Sequence, residues 1–130
     1  MSTYEYTGIN SSATLDFLAA SALTEPKGIG VALTATGVAL PSEGGDIVGI
    51  ALINNPDAVE AGGRVDVQLK DVGLIKAGAA FDAGTLLMVD ATGKAVTATS
   101  GNKIVARALE SATASGDLVK VQLIHAGAAV

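Results

Sequence analysis

Two five-residue stretches of the chain alternate strictly between apolar and polar positions: VDVQL at residues 65–69 and VKVQL at 119–123. In the first, Val65, Val67 and Leu69 alternate with Asp66 and Gln68; in the second, Val119, Val121 and Leu123 alternate with Lys120 and Gln122. A period of two sends successive side chains to opposite faces, so each stretch predicts a strand with one face buried and one face, carrying Asp66 and Gln68 or Lys120 and Gln122, toward solvent.

The likeness extends upstream of both strands. Residues 27–52 read KGIGVALTATGVALPSEGGDIVGIAL and residues 83–109 read AGTLLMVDATGKAVTATSGNKIVARAL. Gly28 aligns with Gly84, Ala35-Thr36-Gly37 with Ala91-Thr92-Gly93, and Gly45-Asp46 with Gly101-Asn102. After one inserted residue Ile47 aligns with Ile104 and Leu52 with Leu109. Each copy reads as short strands joined by glycine-containing turns, a succession of hairpins with no helical period. The expected fold is therefore all-β, a small β-sandwich or β-barrel built from two duplicated units, residues 27–70 and 83–124, within one domain spanning 27–124. Residues 125–130 are left as a C-terminal tail.

Residues 1–26 have no counterpart in the second copy, and they hold Tyr4, Tyr6 and Phe17, three of the four aromatic residues in the chain. The alternation around Leu15 and Phe17 is too brief to separate a short helix from an extended arm, and an N-terminal arm is the reading adopted. Such an arm has two roles open to it. It covers a sheet edge that would otherwise invite aggregation, or it carries Tyr4, Tyr6 and Phe17 to a neighbouring subunit or partner, since aromatic side chains dominate binding anchors.

Composition narrows the chemistry. The chain has 130 residues, 49% of them hydrophobic, but it has 16 Gly and only two Tyr, two Phe and no Trp. Large side chains are scarce, and a thin core invites support from a second subunit. A net charge of −5, with 13 acidic and 8 basic residues, argues against a nucleic-acid surface, which needs clustered Lys and Arg. No stretch approaches the ~20 apolar residues of a membrane span, and the N-terminal residues lack the basic and apolar regions of a signal peptide.

Candidate catalytic and ligand groups lead to no site. With no Cys and a single His, His125 in the expected tail, neither a Cys/His dyad nor a paired-imidazole metal site is available. Gly28-Ile29-Gly30 resembles the start of a dinucleotide fingerprint, but Leu33 stands where the third Gly belongs and no helix pattern follows. Asp90-Ala91-Thr92-Gly93 reads as a turn, its Asp bonding the backbone ahead of it, and it lacks the further oxygen ligands of a calcium loop. Asn54-Asn55-Pro56-Asp57 is likewise read as a loop, and Asp66 and Asp71 as separate surface acids with no shared pocket to tune them. No enzyme activity, metal, cofactor or small-molecule substrate is expected. A small β-barrel that binds a ligand, or a generic interaction module, remains the alternative.

The runs GGDIVGIAL (44–52), GGRVDVQLKDVGLIKAGAAFDAGTLLMVDATGKAVTAT (62–99) and NKIVARALESATASGDLVKVQL (102–123) resemble the small capsid cement or decoration proteins of tailed bacteriophages. A departure lies at Ala106-Arg107-Ala108-Leu109, where relatives commonly carry Gly ahead of the Ala-Leu pair. The resemblance implies a structural protein of the virion, made in the host cytoplasm, that binds the outer surface of the expanded head. It further implies a homotrimer at three-fold or quasi-three-fold positions, with the major capsid protein as partner and no nucleic acid or membrane contact. Tyr4, Tyr6 and Phe17 are then the candidate capsid or subunit contacts.

Overall fold

A computed structural model describes residues 14–128, and within them every regular element is a strand. The chain first forms β1 (Thr14–Leu18), β2 (Leu23–Thr24), β3 (Ile29–Thr34), β4 (Gly37–Ala39), β5 (Gly49–Ala51), β6 (Ala58–Val59) and β7 (Arg64–Gln68). It then forms β8 (Val72–Lys76), β9 (Leu86–Val89), β10 (Ala95–Thr97), β11 (Lys103–Ala108) and β12 (Leu118–Ala128). The alternation in the sequence is realised in β12, where Val119 and Val121 are buried and Lys120 and Gln122 exposed. In β7 Val65 and Val67 are buried, but so is Gln68, expected toward solvent, because the second unit packs on that face.

The duplication appears as two five-stranded antiparallel sheets, β1-β7-β5-β3-β4 and β8-β12-β11-β9-β10, beside the two-stranded β2-β6. Leaving β2 and β6 aside, both sheets place their strands in the same order: first, fifth, fourth, second, third. The registers agree as well. Thr14, Asp16 and Phe17 face Gln68, Asp66 and Val65, while Val72, Leu74 and Ile75 face Gln122, Lys120 and Val119. In both units the residue after the first strand makes a parallel bridge to the third, Ala19 to Val38 and Ala77 to Ala95. Each sheet thus curls until its outer strands are joined by one parallel bridge, without closing into a barrel.

This correspondence enlarges the repeat beyond residues 27–70 and 83–124. It makes β1 the partner of β8, so residues 14–26 are part of the first unit, and β1 covers the edge of β7, the first of the two roles open to the arm. The physical reason is that β7 needs a neighbour on its outer side, and β1 pairs with it along five residues. β2 similarly pairs with β6. Residues 1–13, including Tyr4 and Tyr6, lie outside the described residues. The expected tail is corrected too: β12 continues through His125 to Ala128, and Lys103 of β11 pairs with Ala128.

Each unit has its own apolar cluster. One gathers Leu23, Ile29, Val31, Val38, Val65 and Val67, with Phe17 packed against it; the other gathers Ile75, Leu87, Val89, Val105, Val119 and Val121. Two residues of the first unit, Ile47 and Ile50, belong to the second unit's cluster, so β5 and the loop before it carry the join. Along this seam the backbones themselves meet. Gly30 donates to the carbonyl of Gly93 and Gly44 to that of Val89, both at 2.8 Å, and Lys76 donates to the carbonyl of Gly28 at 2.7 Å.

Glycine is required there by geometry. Gly93 has φ +82°, and a Cβ on it would lie 2.5 Å from the carbonyl oxygen of Gly30. A side chain at Gly44, φ +71°, would overlap that of Asn102. Part of the glycine content thus serves a close backbone contact between the two halves.

Candidate interaction surfaces

The polar groups that could carry chemistry serve the fold. The Asp90 carboxylate accepts from the backbone N–H groups of Thr92 and Lys94 and from the Thr92 hydroxyl, the turn its sequence predicts. Asn55 is 5% exposed and its amide donates to the carbonyls of Pro26, Leu52 and Asp66, while its Oδ1 accepts from the N–H of Asp66. It fastens the loop between β5 and β6 to β7, which accounts for the oxygen-rich Asn54–Asp57 segment. Asp117 accepts from the N–H groups of Thr113 and Ala114 and from the Thr113 hydroxyl, and these bonds, the Thr113 N–H foremost, hold its carboxyl below the usual range.

One acidic pair departs from this pattern. Asp16 and Asp66 stand directly opposite each other on β1 and β7. The hydrogen bond between their carboxyls, with burial and Asp16's charge adding to it, raises the pKa of Asp66. Arg64 approaches Asp16 at 3.7 Å. Asp71 is an exposed residue at φ +72° whose carbonyl accepts from the N–H of Leu123, so it does not join them. Among the described residues no three His, Asp or Glu side chains are grouped to hold a metal ion.

Two clefts flank the seam. One, of about 410 Å³, is lined by Leu33, Asp46, Ile47, Val48, Leu69 and His125. The other, of about 300 Å³, is lined by Leu52, Ile53, Gln68, Val72, Leu74 and Lys120, along with Gly73. His125 is therefore part of a cleft wall, where the sequence places it in a tail. Several large apolar side chains are exposed, led by Leu33 at 59%, in the first cleft, and Leu15 at 51%, on β1. Such exposure on a rigid sheet scaffold suits contact with another protein surface.

The family model for phage cement proteins matches residues 9–123, a span that includes both units and the seam. The chain belongs to the phage cement protein family. That membership gives this cement protein a structural role at the phage capsid. Among curated proteins none matches the chain. A solved structure described as the head fiber gp8.5 N base in bacteriophage phi29 is similar in fold, with 17% sequence identity and a TM-score of 0.64, covering 86% of this chain and 93% of that one.

Of the three aromatic residues expected at a contact, Tyr4 and Tyr6 lie outside the described residues. Phe17 is half-buried against the first unit's cluster, opposite Val65, in the place that Ile75 holds in the second unit. It serves the cement protein's own core. The sequence reading missed Leu15, Leu33 and Leu86 as surface features, because alternation predicts which face a residue is on and not whether another unit covers that face.

Proposed function

We propose that this chain cements the outer surface of the expanded head, binding the major capsid protein as a homotrimer at three-fold or quasi-three-fold positions. The observation that carries the reading is the family match, which runs through both β units. The exposed leucines on a rigid double-sheet scaffold supply apolar surface for such contacts. The proposed role is mechanical and without catalysis.

Cementing works by mass action. A protein that binds only the expanded shell stabilises it by RT ln(1 + [L]/Kd) at each site, about 2.7 kcal/mol when its free concentration is a hundredfold above Kd. Many sites on one shell multiply the gain. The test is cosedimentation of the purified protein with expanded heads and with unexpanded procapsids. Binding to expanded heads, with a rise in their disruption temperature, is expected; equal binding to both forms, or none to either, overturns the reading.

A further inference from the structure

The two units match strand for strand, so each residue at the internal seam has a counterpart on the opposite unit. Across the first sheet, Gly30, Ile50 and Gln68 form one row, because Gly30 pairs with Ile50 and Ile50 with Gln68. Their counterparts across the second sheet are Leu86, Arg107 and Gln122, paired in the same way. The first row is buried; the second is exposed throughout.

The first row is buried because the second unit covers it. A Cβ on Gly30 would lie 3.0 Å from a methyl of Val89, and a Cβ on Gly73 would lie 3.0 Å from Oε1 of Gln68 and 3.4 Å from Cδ1 of Ile50. The counterparts of these covering residues are identified by register. Gly73 faces Val121 as Leu15 faces Val67. Val89 faces Ala95, which bridges to Ala77, as Leu33 faces Val38, which bridges to Ala19. Leu15 and Leu33 are the two most exposed large apolar side chains among the described residues.

One molecule therefore displays both halves of a contact that it makes once internally. We infer that the second sheet's row Leu86, Arg107, Gln122 of one copy docks against Leu15 and Leu33 on the first unit of the next copy, joining copies head to tail. The occupant is a second copy because the internal seam joins the register counterparts of these two surfaces. Leucines replace two of the seam's glycines, at positions 86 and 15, so this contact is made through side chains where the internal one brings backbones together. Charge agrees: Arg107 stands where Ile50 plugs the seam, and Asp46 lines the cleft beside Leu33. An arginine entering an apolar site requires such a partner. A heterologous contact of this kind closes into a ring when its rotation allows, and the inference rests on the homotrimer reading above, whose contact it specifies.

The chain has no cysteine, so single cysteines report the contact cleanly. Leu33→Cys and Leu86→Cys are made as separate proteins at exposed positions, checked by circular dichroism, and oxidised alone and mixed. A disulfide-linked dimer in the mixture, absent from either protein alone, is expected, since Cβ atoms must come within about 4.5 Å to bridge. A linked dimer in either protein alone overturns head-to-tail docking, as does its absence from the mixture. Sedimentation of the wild-type chain separates the two readings. A trimer without the mixed crosslink overturns this contact and leaves the trimer; a monomer in solution and on heads overturns both. If the thiol of Leu33→Cys reacts with maleimide only after residues 2–13 are deleted, those residues occupy the site and the inference fails.

Discussion

The two units share strand order, register and bridging residues, yet the same row of positions is buried in one and exposed in the other. Gln68 and Gln122 show the difference most directly. Both are the fourth residue of nearly identical pentapeptides, and both lie between an apolar pair in the fold. Gln68 is 5% exposed, and its amide donates to the carbonyls of Lys70 and Val72, fixing the turn by which the chain enters the second unit. Gln122 is exposed. Strand patterning thus specifies each unit, whereas the outer faces are specified by what packs on them, and this is where the copies have diverged.

The largest expected effect tests whether β1 belongs to the first unit as β8 belongs to the second. Deleting residues 2–18 removes the neighbour of β7 and the Phe17 side chain, and exposes Val65 and Val67. Loss of a cooperative melting transition is expected. Deleting only residues 2–13 retains β1 and should leave the transition in place. An intact transition after the longer deletion would return residues 14–18 to the status of an arm.

A smaller loss is expected at the seam. Gly93→Ala puts a Cβ 2.5 Å from the Gly30 carbonyl oxygen at φ +82°, a combination of left-handed strain and backbone overlap. It should cost about 3 kcal/mol. Gly84→Ala has a similar φ of +90° but nothing within 4 Å of the new Cβ, so only strain remains, about 1 kcal/mol. Urea titration of both variants checks the difference, and equal losses would show that the close approach of the two units contributes no stability. Next in size, Gln68→Ala should cost about 1–3 kcal/mol, because it removes a buried amide together with its part-buried hydrogen bonds to the carbonyls of Lys70 and Val72. Gln122→Ala should stay within about 0.5 kcal/mol. Equal losses for the two would contradict the division into covered and open rows.

The legible part of the fold was that written in repeated letters. VDVQL and VKVQL, the Ala-Thr-Gly turns and the two Ile-containing strands before Leu52 and Leu109 preserve composition as well as place, so alternation and alignment found them. TLDFLAA of β1 and VGLIKAG of β8 keep only register: Phe17 answers to Ile75, Asp16 to Leu74 and Leu18 to Lys76. Their equivalence is geometric, and no pattern of residue types carries it. That is why residues 14–26 read as an arm and Phe17 as a contact. The exposed leucines escaped for a related reason, since Leu15 and Leu33 lie on the interior side of their sheet, paired with the buried Val67 and Val38. They are exposed because that end stays open, with His125 only walling the cleft beside Leu33, whereas Ile47 and Ile50 are packed into the second unit's cluster.

The smallest effect concerns the pair in which the units differ in charge. Where the second unit sets Leu74 opposite Lys120, the first sets Asp16 opposite Asp66. A carboxyl whose folded pKa is raised binds its proton more tightly in the folded protein than in the unfolded chain. Stability contributed by Asp66 therefore falls as pH rises from its unfolded pKa through its raised folded value, and the penalty is complete above it. Asp57, lowered by its hydrogen bond from Lys27 and by that residue's charge, and Asp117 behave oppositely; their contributions are present above the unfolded pKa and are lost as pH falls through the folded one. Asp66→Asn should accordingly stabilise the protein at pH 7 by a few tenths of a kcal/mol, the scale of a like-charge pair across strands. The gain should vanish in acid, where the wild-type carboxyl is protonated. Melting curves of the two proteins from acid to neutral pH check this, and a variant no more stable than wild type at pH 7 would show that Asp16 and Asp66 face each other without repulsion. If copies join through the face beside Asp16, the gain in the free protein should also change once the contact forms, which ties this small term to the difference between the two units.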